Sequence, residues 1–172
     1  MLSGLNDDYL LAFPSLQVIS VFESVNYEFY DHDGLGPSQR NYLMDKLKSL
    51  GFTQTSGKWL QHPGGTKVYF PPSKMFNRDF NNFLSDQNPG GDIWLATTPT
   101  QTAYLLFKNE VYDFVDVSEL MMKQPFNLEK LLHVTTHESF HLRIVEKNME
   151  LERLHERAKL LLKRRTPIGS MN

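Results

Sequence analysis

Between residues 38 and 50 apolar positions recur every three to four residues, so that Tyr42, Leu43, Leu47 and Leu50 share one side of a predicted helix that Gly51 terminates. The period then shortens to two. Short strands are predicted near residues 52–55, 58–62 and 66–70, with Ser56-Gly57 and Pro63-Gly64-Gly65 as the turns between them. Pro71-Pro72 stops the last strand, and residues 73–86 return to a helical period with Met75, Phe76, Phe80 and Phe83 as the apolar set. Upstream, residues 17–25 (QVISVFESV) have the β-branched and aromatic content of a strand, and residues 31–37 (DHDGLGP) are dense in turn formers. The D-x-D-G in that turn is not an EF-hand loop, because Leu35 and Tyr42 stand where oxygen ligands are required. Downstream, residues 92–96 (DIWLA) read as a buried strand, Thr98-Pro99 as the cap and first turn of a helix reaching Leu106, residues 111–117 as another strand and residues 118–123 as a short helix.

The last predicted element is the longest. Asn127 can cap a helix and no Gly or Pro follows until Pro167, which gives roughly 38 residues and some 55 Å of helix, more than one small domain spans. Leu151, Leu154, Ala158 and Leu161 follow 3-4 spacing, so this helix either pairs with a second copy in a homodimer or packs back on its own sheet. The expected fold is therefore α+β: a small antiparallel sheet within an α-β-β-β-α unit, an additional strand-helix segment, and the long C-terminal helix. Residues 1–126 form the α+β domain and residues 127–165 the helix.

At 172 residues the chain can bury a sizeable core. It has no apolar run near 18 residues, so no membrane span and no membrane partner are expected. Residues 1–13 carry Asp7 and Asp8 but no Lys or Arg, the wrong charge for a signal peptide, which points to a cytoplasmic protein. The absence of cysteine leaves histidine, carboxylate and water as the available metal ligands. The net charge of -2 hides an asymmetry: up to His141 there are ten Lys and Arg against sixteen Asp and Glu, and from Leu142 onward eight against four. An acidic body with a basic tail suits electrostatic self-association, or contact of the tail with nucleic acid or an acidic partner.

Within residues 43–71, Leu50-Gly51-Phe52, Ser56-Gly57-Lys58 and Val68-Tyr69-Phe70-Pro71 follow the predicted helix in a fixed order. This wording resembles the HicA-like toxins, which have a double-stranded-RNA-binding-type fold. The resemblance implies that fold and a nucleic-acid ligand, although Lys58 replaces the histidine expected to cut RNA in that family. Trp59, Tyr69, Lys58, Lys67 and Lys74 would cluster about the three strands, where they could stack on and neutralise nucleic acid or simply pack the sheet.

Residues His137-Glu138-Ser139-Phe140-His141 complete an H-E-x-x-H string. On a helix, His137 and His141 would lie about 40° apart on one face, where both imidazoles reach one ion, with Glu138 beside them as general base for metal-bound water. With Val134 and Thr135 before it, the string resembles the zincin metallopeptidases, which implies bound Zn2+ and hydrolysis of a peptide or protein substrate. The metzincin continuation is absent, since Ile144 and Lys147 stand in its places. A third ligand would come from upstream, from Asp113, Asp116 or Glu119, or from a second chain. His133 extends the string to a stripe at i, i+4 and i+8 from which a pair could bind metal. The alternative is a non-enzymatic module that binds nucleic acid or protein and dimerises through its C-terminal helix.

Overall fold

The structure is a computed structural model that describes residues 1–28, 33–72 and 92–170. The helix predicted at residues 73–86, with Lys74, lies outside the described residues, as do Asp31 and His32 of the predicted turn.

A mixed sheet of six strands organises the chain. Its strands are β1 (Leu10–Phe13), β2 (Val18–Val21), β3 (Thr53–Gln54), β4 (Trp59–Gln61), β5 (Lys67–Tyr69) and β6 (Ile93–Thr97), in the spatial order β1-β2-β6-β5-β4-β3. The outer pairs are antiparallel, whereas β6 is parallel to both β2 and β5. The three-stranded antiparallel unit read from the sequence is therefore the β3-β4-β5 half of a larger sheet. β1 has no counterpart in the sequence reading. Its four residues are all buried, so they show none of the alternation that marks a half-exposed strand.

Strand alternation divides the side chains between two cores. Leu11, Phe13, Val18, Tyr69 and Leu95 face one side and Leu10, Ala12, Ile19, Val21, Val68, Phe70, Trp94 and Ala96 the other. The second side is covered by α1 (Pro37–Ser49) through Leu43 and Leu47. Helix α1 ends in a Schellman motif, in which the Gly51 amide bonds the Lys48 carbonyl and the Phe52 amide bonds that of Leu47. Gly51 holds φ at 95°, where a side chain would be strained.

The first side carries the remaining helices: α2 (Pro99–Lys108), α3 (Phe114–Lys123), α4 (Leu128–Val134), α5 (His141–Glu146) and α6 (Asn148–Leu162). Thr98 and Gln101 cap α2 reciprocally, and every residue from Pro99 to Phe107 is buried. The strand predicted at residues 111–117 is not formed. Asp113 instead caps α3 by accepting from the Val115 amide, and the helix buries Val117, Leu120 and Met121. Val111 at 85% and Val115 at 68% exposure show why the strand reading fails, since a strand would have turned both inward.

The C-terminal helix is present as α6, but the uninterrupted run from residue 127 is not. Asn127 caps α4 as expected, and that helix stops at Val134. Leu131 and Phe140 are nine residues apart, which would put them about 180° apart on one straight helix. Both are buried in the same core, so the chain has to turn between them. Thr135 and Thr136 accommodate the stop, their hydroxyls donating to the Leu131, Leu132 and His133 carbonyls at the end of α4. The 3-4 stripe is spent mostly within the chain: Leu151 and Ala158 are fully buried, Leu154 packs against the core, and Leu161 remains exposed.

Candidate functional site

The H-E-x-x-H string spans the turn between α4 and the start of α5, so the spacing argument for a shared helical face does not apply to it. His133 ends α4 and is exposed, His137 is exposed in the turn, and Glu138 is half-buried there. Phe140 is the anchor, buried edge-on against Tyr104 with centroids 5.1 Å apart at 87°. His141, half-buried, is held by Thr135: its Nδ1 lies 2.9 Å from the hydroxyl oxygen. That hydroxyl has one hydrogen and places it on the Leu131 carbonyl at 2.8 Å. His141 therefore donates from Nδ1, and in the neutral imidazole the lone pair then lies on Nε2. Among the described residues no group of three or more His, Asp or Glu is placed to hold a metal ion, and Asp113, Asp116 and Glu119 do not complete one with the string. Asp113 is occupied as the α3 cap. Burial, then the neighbouring Asp113 and Glu119, raise the Asp116 carboxyl above its ordinary value.

The β3-β4-β5 meander offers a different surface. Register places Trp59 opposite Tyr69, Gln61 opposite Lys67, and Thr53 opposite Gln61, so these side chains share one face. The Trp59 and Tyr69 rings lie 4.6 Å apart at 55°. Tyr69 is buried, which raises its phenol above the ordinary value, while Trp59 is half-buried. Thr53, Thr55, Gln61 and Lys67 are exposed, so this face is open among the described residues. A depression of about 220 Å³ there is lined by Thr55, Trp59, Leu60, Gln61 and Lys67.

Its charge sets this surface apart from the acidic body. Residues 50–72, which carry the meander, contain Lys58 and Lys67 and no Asp or Glu. Asp92, beside the meander, is engaged by the Thr66 hydroxyl at 2.8 Å, the Gln17 amide at 2.7 Å and the Trp94 indole at 3.0 Å. Exposed Lys67 thus shares the face of a partly exposed indole, and exposed Lys58 precedes that indole in the chain. Arg40 braces the meander from α1, donating to the Pro71 carbonyl and lying over the Phe70 ring.

Two polar pairs escaped the sequence reading. Lys130 is buried and pairs with Asp33 at 2.6 Å, and Tyr27 hydrogen-bonds His155. Burial, then Lys159, lower the His155 pKa, and burial, then Glu156, raise that of Tyr27. No local pattern could have flagged these pairs, whose members are 97 and 128 residues apart. Comparison of the chain with known protein families, with curated proteins and with solved structures finds no match.

Proposed function

We propose that the protein is a non-enzymatic binding module that takes single-stranded nucleic acid on the open face of β3, β4 and β5. The observation that carries this reading is Trp59, half-buried on Tyr69, with exposed Lys67 on the same face and exposed Lys58 next to it in the chain. The buried part fixes the indole and the exposed part is left for a base to stack on. Lys58 and Lys67 supply charge for the phosphates, and Thr53, Thr55 and Gln61 supply hydrogen-bonding groups without fixed sequence preference.

The test is titration with oligo(U) and oligo(dT) of about ten nucleotides at low salt, followed by tryptophan quenching and by anisotropy of a labelled oligonucleotide. Trp59→Ala is expected to weaken binding roughly 5- to 150-fold, the range for loss of one base-aromatic stack. Lys67→Gln should flatten the salt dependence by about 0.7 in the logarithmic slope. No binding at low salt, or equal affinity for Trp59→Ala, would reject the reading.

A second reading, zinc-dependent hydrolysis of peptides at the H-E-x-x-H segment, draws on the His141 tautomer. A ligating histidine commonly donates its other ring N–H to a neighbour, as His141 does to Thr135. In this reading Zn2+ would be held by His141 with His137 or His133 and a donor from another chain or segment, and Glu138 would serve as base. Protein purified without a histidine tag should then hold stoichiometric zinc and lose it in His141→Ala. Sub-stoichiometric zinc, unchanged by that substitution, rejects this reading and leaves the first intact.

A further inference from the structure

The last turn of α6 turns two leucines outward, Leu160 at 68% and Leu161 at 66% exposure, while Leu151 and Ala158 of the same helix are fully buried. Arg157, Leu160 and Leu161 are neighbours at i, i+3 and i+4, and Lys163 and Arg164 follow in the next turn. These three basic residues are exposed, and residues 157–172 contain no Asp or Glu. Arg165 is committed elsewhere, donating to the Asp8 carbonyl at 2.8 Å and lying 3.5 Å from its carboxylate. The surface is thus an apolar pair bordered by Arg157, Lys163 and Arg164, with exposed Glu156, one helical turn before Leu160, as its acidic neighbour among the described residues.

We propose that this patch docks on an anionic lipid surface. A nucleic-acid backbone would use the cations but would leave the leucines in water. A bilayer interface answers both, because leucine side chains enter the acyl boundary while Lys and Arg stay among acidic headgroups. The absence of a membrane partner expected from the sequence rested on the lack of a spanning segment, and an interfacial contact needs none. Among the described residues no helix is long and apolar enough to cross a membrane. Arg165 ties the end of α6 to the residues that lead into β1, whereas Trp59 lies toward the β3 edge. The lipid contact therefore leaves the meander face accessible.

The full chain is mixed with vesicles of phosphatidylcholine alone, and of phosphatidylcholine with about 30 mol% phosphatidylserine, at low salt, and sedimented. It is expected to sediment with the acidic vesicles only. Leu160→Gln with Leu161→Gln, and separately Lys163→Gln with Arg164→Gln, should each weaken that binding at least tenfold. Both pairs are exposed, so the folded state, checked by circular dichroism, should be retained. Trp59→Ala should bind vesicles like the native chain, which keeps this test separate from the nucleic-acid reading. Absence of sedimentation with acidic vesicles overturns the proposal. So does vesicle binding that survives the leucine substitutions, or a leucine variant whose only change is conversion of a dimer to a monomer in light scattering.

Discussion

Phe107→Ala is expected to lower the unfolding free energy by about 3–5 kcal/mol, read as a shift of the urea midpoint at unchanged slope. Phe107 is fully inaccessible at the end of α2, and its ring stacks on Tyr112 at 5.2 Å and 26°. It lies in the larger core with residues of α3, α4, α5 and α6, so truncation opens a cavity that no single side chain can fill. Its carbonyl accepts from Arg143, whose guanidinium also lies over the Tyr112 ring, so loosening the Phe107 turn disturbs the clasp between α5 and the residues leading into α3. Total stability for a domain of this size is typically about 5–15 kcal/mol, so the loss is a large share of it. A cost below about 1 kcal/mol would mean that the core re-forms around alanine and that the helical layer is looser than its burial indicates.

What the sequence made legible was set by how local the deciding contacts are. Helix α1 is closed by its own Gly51, α2 by its own Thr98 and α4 by its own Asn127, and each stands within a residue or two of the predicted boundary. The three meander strands sit between turns spelled out by Ser-Gly and Pro-Gly-Gly, and they too formed where expected. The larger sheet was not legible, because the parallel pairings of β6 with β2 and β5 join residues separated by 77 and 26 positions and leave no periodic mark on the chain. Residues 128–162 show the opposite failure. Absence of Gly and Pro permits a continuous helix but does not require one, and the need to bury both Leu131 and Phe140 decided the matter through tertiary packing.

The same contrast holds for the candidate sites. Trp59, Tyr69 and Lys67 could be gathered from the sequence because a meander of short strands brings near neighbours onto one face. The H-E-x-x-H string relied on helical geometry, and Thr135 and Thr136 end the helix ahead of it. What the string retains is a histidine in a defined tautomer, set by a threonine six residues upstream. The Leu160 and Leu161 patch was half visible: the basic run is plain in the sequence, but which leucines face solvent depends on which side of α6 the core occupies.

Asp33→Ala is expected to cost about 2–4 kcal/mol, far more than substitutions in a surface turn normally do. Read from the sequence, Asp33 is one turn residue among several, but its carboxylate lies 2.6 Å from the ammonium of Lys130, a side chain only 8% exposed. Its backbone carbonyl accepts from Gln101, so the same residue also fastens the entry to α1 onto α2. Removing the carboxylate strips a buried cation of this partner, whereas Lys130→Met leaves behind an aspartate 21% exposed, which water can solvate. The two substitutions should therefore be unequal, with Lys130→Met costing about 1–2 kcal/mol. The double variant should recover much of the Asp33→Ala loss, because an apolar side chain of similar length tolerates burial better than an ammonium that has lost this carboxylate. Denaturant unfolding of the four chains in a double-mutant cycle measures this directly. Equal single costs with simple additivity would show that Lys130 reaches solvent once Asp33 is gone, and that Gln101 rather than the ion pair holds this segment in place.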